Sequence, residues 1–135
     1  MNIQFLSFTV PDQQRALEFY TNVLGFVKHA DIDMGGGQRW LTVIAAGRPQ
    51  MELSLEPQNF EPARVYQRAL FEAGIPVTAF TTDDIAGDYA RLTTHGVVFR
   101  GPPREIGPII TAVFEDGCGN LINLVQPLMR PDSSI

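Results

Sequence analysis

The sequence predicts an α+β fold made of two βαβββ modules that pair their sheets around a cleft. Three observations carry this expectation. An apolar, β-branched run ending at Pro11-Asp12 leads into an amphipathic helix that stops at Gly25, and the same order recurs after Pro76 with a helix stop at Gly96. Phe8-Thr9 stand before Asp12 as Phe80-Thr81 stand before Asp84. Glu52 follows Gly25 by twenty-seven residues and Asn123 follows Gly96 by the same interval, each the polar residue of an otherwise apolar strand centre, MELSL and LINLV. Equal spacing after equivalent helix stops marks an internal duplication, in which the two residues hold equivalent places.

The elements follow from local chemistry. Ile3–Val10 reads as a strand, and Asp12 as the N-cap of a helix from Gln13 to Leu24 whose apolar residues Ala16, Leu17, Phe19, Tyr20, Val23 and Leu24 recur at three- and four-residue steps. Phe26–Ala30, Arg39–Ala45 and Gln50–Leu55 read as strands, separated by Gly35-Gly36-Gly37 and by Gly47-Arg48-Pro49. Pro62–Ala73 is a second amphipathic helix built on Val65, Tyr66, Ala69, Leu70 and Ala73. The second module repeats the pattern: strand Val77–Thr82, helix from Asp84 to about His95, and strands near Val97–Phe99, Ile109–Phe114 and Leu121–Val125. The expected organisation is one domain over 1–135, with module one at about 3–56, a linker and helix at 57–75, module two at about 76–127 and a C-terminal tail at 128–135. By period-two alternation, Glu52 and Asn123 point to the cleft while Leu53, Leu55, Ile122 and Leu124 pack under helices.

Composition excludes several classes of function. With 44% hydrophobic and 19% charged residues the chain is of ordinary globular type. Its net charge of −5 and scattered basic residues lack the footprint of a phosphate-backbone binder, so no nucleic-acid partner is expected. No apolar run approaches the length of a membrane span, and MNIQFLSFTVPD lacks the basic segment and long apolar core of a secretory signal, so a soluble cytoplasmic protein with no membrane partner is expected. A single cysteine, Cys118, excludes an internal disulfide and reads as turn packing between two glycines. Asp31-Ile-Asp33-Met-Gly35-Gly36 opens like a calcium loop, but Thr42 stands where the bidentate glutamate belongs, so the segment reads as a hairpin turn. His29 and His95 read as structural, His95 suiting a helix C-terminus.

ALEFYTNVLGF at Ala16–Phe26, MELSL, and DGCGNLINLVQ at Asp116–Gln126, set in the duplicated βαβββ plan, resemble the vicinal oxygen chelate superfamily over Ile3–Gln126. That superfamily covers glyoxalase I, extradiol dioxygenases, and bleomycin- and fosfomycin-resistance proteins. The resemblance implies a homodimer. It also implies, for metal-using members, a divalent ion held by a histidine early in the first strand of a module and a glutamate or similar ligand in its last strand. Carried onto this chain, the early-strand positions fall at about Phe5 and near Val77, neither of them a ligand, and the last-strand positions fall on Glu52, which matches, and Asn123, an amide. One carboxylate and one amide are too few for an ion that needs three or four protein ligands.

The expected function is therefore binding of a small, mostly apolar or aromatic molecule without a cofactor, by Phe5, Ser7, Trp40, Thr42, Glu52, Ile110 and Asn123, with Pro103–Gly107 as a lid. Glu52 is the one candidate catalytic residue. It reads either as a rim carboxylate paired with Arg39, Arg48 or a backbone amide, or as a partly buried group whose pKa burial raises. Two alternatives stand beside simple binding. One is a metal-dependent lyase, isomerase or dioxygenase holding nickel, zinc, iron or manganese through Glu52, and the other is metal-free general-base catalysis by Glu52.

Overall fold

A computed structural model describes residues 1–128; apart from Leu128, the expected tail lies outside the described residues. The described chain divides into two compact units, Met1–Ala69 with Gly117–Gly119, and Leu70–Asp116 with residues 120–128. Each carries one four-stranded mixed sheet.

In the first unit β1 (Phe5–Val10), β2 (Val27–Gly35), β3 (Gln38–Ala45) and β4 (Arg48–Pro57) form a sheet in the order β1-β4-β3-β2. β1 and β4 are parallel, with Phe5 opposite Glu52 and Ser7 opposite Ser54. The connection between β1 and β2 contains α1 (Gln13–Glu18), capped by Asp12, whose side chain accepts from the Arg15 amide. The expected single helix to Leu24 instead widens after Glu18 into a π-helical turn, Phe19–Val23, closed by the Leu24 amide on the Phe19 carbonyl at 3.1 Å. Within that turn Tyr20 is fully buried among the rings of Phe8, Phe19 and Phe26. Phe8, Val10, Leu41, Val43 and Leu55 lie on the helix-covered face and form the core, as alternation demands. Gln13 locks the helix to the sheet: its buried amide donates to the Arg39 and Leu55 carbonyls, both at 2.8 Å, and accepts from the Arg39 amide at 3.1 Å.

α2 (Glu61–Ala73) buries none of its residues, so its apolar positions Val65 and Tyr66 stay exposed. In the second unit β5 (Thr78–Thr81), β6 (Arg104–Ile106), β7 (Ile109–Glu115) and β8 (Leu121–Pro127) form the order β5-β8-β7-β6, with α3 (Ile85–Thr94) between β5 and β6. Ile85, Leu92, Val97, Ala112, Phe114, Ile122 and Leu124 are its core. The Gln126 side chain accepts from the Ile85 amide at 2.8 Å, tying the start of α3 to β8.

Two expectations change here. Val97–Phe99 is not a strand but leaves a single bridge, Phe99 to Phe114, because Gly101-Pro102-Pro103 interrupts the pairing and proline has no amide hydrogen to give. Beyond the interruption, the segment read as a lid is strand β6, held against β7 with Arg104 opposite Thr111 and Ile106 opposite Ile109.

Candidate functional site

In the first unit the strand register brings Phe5, Ser7, Trp40, Thr42 and Glu52 to one face of the sheet, opposite the helix. Glu52 is only 5% exposed, and both of its oxygens are held. Thr42 Oγ1 donates to Oε1 at 2.8 Å and Gln4 Nε2 donates to Oε2 at 2.9 Å. The backbone fixes the same neighbourhood, since the Glu52 amide donates to the Gln4 carbonyl at 2.7 Å. Thr42 is fully buried and accepts in turn from the Ala30 amide at 3.1 Å. Phe5 and Trp40 meet edge to face, ring centroids 5.7 Å apart, with Phe5 half exposed.

Neither expected environment of Glu52 is the one found. Arg39 lies on the helix-covered face and binds Asp31, at 3.0 and 2.8 Å, so Asp31 is also spoken for. The expected upward pKa shift is reversed. Burial pushes the Glu52 carboxyl up, but the hydrogen bonds from Gln4 and Thr42, with the charge of His29, together outweigh it and hold the group below its ordinary value. An ionised carboxylate with one donor on each oxygen still has a second lone pair on each. It is an acceptor for a ligand's donor groups and a weakened proton base.

In the second unit Asn123 occupies the centre of β8, opposite Ala79 on β5 and Val113 on β7. The residue across from it in the first strand is thus Ala79 and not Val77, which reaches β8 through its amide on the Leu121 carbonyl; Ala79 is no more a ligand than Val77. Thr111 Oγ1 hydrogen-bonds Asn123 Oδ1, so in each module a threonine of the neighbouring strand holds the polar strand centre. Ile110 does not join Asn123: the register puts it opposite Gln126, on the face that carries α3. Thr111, its neighbour, takes the place on the Asn123 face.

Gln4 and Thr111 were missed in the sequence. Gln4 precedes β1 and carries no pattern. Thr111 differs from Ile110 by one residue, which in a strand is the whole difference between faces.

The donors present do not fit a divalent ion at the family's metal position. Glu52 faces Phe5 across the strand pair, and its hydrogen-bond partners, Gln4 and Thr42, present hydrogens to it. Among the described residues no group of three or more His, Cys, Asp or Glu side chains is gathered. Nor is any helix among them long and apolar enough to cross a membrane.

The family model described as Glyoxalase/Bleomycin resistance protein/Dioxygenase superfamily matches residues 2–124. The chain is 44% identical over 127 residues to the uncharacterized protein YurT of Bacillus subtilis (strain 168), covering 93% of this chain and 99% of that one. Among solved structures it is similar to TnmS3, an antibiotic binding protein from Streptomyces sp. CB03234, with TM-score 0.74 and 32% identity over 94% of this chain and 96% of that one. It is likewise similar to UcmS2, with TM-score 0.80 and 28% identity over 93% of this chain and 97% of that one.

Proposed function

The chain belongs to the glyoxalase/bleomycin resistance protein/dioxygenase superfamily, and from that premise we propose that it binds a small, mostly apolar or aromatic molecule without a metal and as a homodimer. The observation that carries the reading is the combination at the first sheet: a buried, ionised Glu52 clamped by Gln4 and Thr42 beside the partly exposed Phe5–Trp40 pair. An apolar platform with one fixed acceptor is what orients a small ligand. The likeness to TnmS3, itself an antibiotic binding protein, supports a binding role. The lowered pKa of Glu52 favours binding over general-base catalysis, and the hydrogens that Gln4 and Thr42 present to it favour a metal-free site. Phe60, Val65 and Tyr66, all exposed, supply an apolar surface of the kind a second copy covers.

Trp40 is the chain's single tryptophan, so its fluorescence reports on this face directly. Titration with a panel of neutral polycyclic aromatic compounds is expected to give saturable changes, weakened about five- to tenfold by Phe5→Ala through loss of an aromatic contact. A panel without any saturable response refutes binding at this face. Near-stoichiometric nickel, zinc, iron or manganese in protein purified without chelators refutes metal independence, and a monomer in light scattering refutes the dimer.

A further inference from the structure

The pairing of β7 with the chain before β6 has a gap in it. The Glu115 amide donates to the Val98 carbonyl at 2.8 Å and the Arg100 amide to the Val113 carbonyl at 2.7 Å, after which the ladder resumes only with Arg104 opposite Thr111. Three residues, Gly101-Pro102-Pro103, therefore stand against one, Ala112. With two prolines unable to donate, the strand bows away instead of closing. The space left is a cavity of about 390 Å³ whose walls include Arg100, Pro102, Arg104, Thr111 and Val113.

Its two guanidinium groups are in different states. Arg100 is committed: Nε donates to Glu115 Oε2 at 3.0 Å and the guanidinium lies over the Phe71 ring, 5.0 Å from its centroid. Arg104 has no ion pair among the described residues, and by strand alternation its neighbour Glu105 faces the other way. Its register partner Thr111 shares its face and bonds Asn123. Among the described residues, one guanidinium without an ion pair thus stands exposed at a cavity whose other walls are Pro102, Val113, Ala112, Gly101, Thr111 and the paired Arg100, on a chain whose net charge is −5.

We propose that this cavity receives a monoanionic carboxylate carried on an apolar or aromatic frame, with Arg104 as the receiving group. The guanidinium fork matches the two oxygens of a carboxylate. One guanidinium without an ion pair among the described residues matches a single negative charge, and Pro102, Ala112 and Val113 match the frame. The volume is that of a small-ligand pocket. The inference rests on the small-molecule-binding reading and adds to it a site for acids on the sheet of the second unit.

The test is calorimetric titration of the full chain with 2-naphthoate and its neutral counterpart 2-naphthamide, on the wild type, Arg104→Gln and Glu105→Gln. Wild type is expected to prefer the naphthoate by about tenfold or more, as a charge-assisted hydrogen bond provides, with the preference shrinking as salt is added. Arg104→Gln is expected to abolish the preference, and Glu105→Gln to leave both affinities as in the wild type. Equal binding of both probes by the wild type overturns the assignment, as does a preference that survives in Arg104→Gln, or no binding of naphthoate at millimolar concentration. The binding role itself is judged separately, by the Trp40 titration with neutral aromatics. Arg104 is exposed on a short edge strand, and an unchanged circular dichroism spectrum of Arg104→Gln confirms that any loss is local.

Discussion

Replacing Thr42 by valine isolates the clamp on Glu52. The shapes are close, but the hydroxyl serves two partners, donating to Glu52 Oε1 at 2.8 Å and accepting from the Ala30 amide at 3.1 Å. A hydrogen bond to a charged group contributes about 1.5–3 kcal/mol and a neutral one about 1, so Thr42→Val is expected to cost about 2.5–4 kcal/mol in urea unfolding near neutral pH. The pH dependence should change with it. In the wild type the folded-state pKa of Glu52 is lowered, so its contribution is present above the ordinary carboxylate value and fades as pH falls through the folded one. Without the threonine donor, the raising effect of burial meets only Gln4 and the charge of His29. The folded pKa then rises, and the penalty of the substitution shrinks as the medium is acidified. A second substitution, Glu52→Met, in the Thr42→Val background should recover part of the loss, because removing both partners leaves no buried charge seeking a donor. A Thr42→Val protein within about 0.5 kcal/mol of wild type, the range of an ordinary surface change, with the same dependence on pH, would refute the account of Glu52 as an ionised group held by its two donors.

Gln13→Ala removes three hydrogen bonds between α1 and the sheet and is expected to destabilise by about 2–4 kcal/mol in the same assay, much of it from the buried Leu55 carbonyl left without this donor. Asp31 is held down to about 2, chiefly by the Arg39 hydrogen bonds. An NMR titration of its carboxyl should find that midpoint, and Arg39→Met should move it up; the stability Asp31 contributes is present above the ordinary carboxylate range and lost as pH falls toward about 2. Gly119 combines φ of +90° with a position where an added methyl would sit 3.3 Å from Gln67 Oε1. Gly119→Ala is expected to lower stability by about 1–2 kcal/mol through backbone strain, read as a reduced urea midpoint.

The duplication was legible because it is written in intervals. Two glycine stops and two polar strand centres at equal spacing fixed Glu52 and Asn123 as counterparts, and the strand ladders place each of them at the middle of the last strand of its sheet. Phe5, Ser7, Trp40, Thr42 and Glu52, expected around the ligand, do share one face, because they lie on strands whose bounds were read closely. Ile110 was misassigned by a single step, the smallest error a strand allows and one that reverses the face. β6 escaped because its residues, Arg104–Ile106, follow two prolines that read as loop, and only pairing with β7 makes them a strand.

From the amino-acid order alone came the two modules, the helix stops, the polar strand centres and the family, all of which depend on spacing along the chain. The charge state of Glu52, its ties to Gln4 and Thr42, and the cavity beside Arg104 depend on how the folded chain brings separate strands together. Burial and hydrogen bonding act on Glu52 in opposite directions, and only the folded arrangement of its neighbours decides which of them prevails.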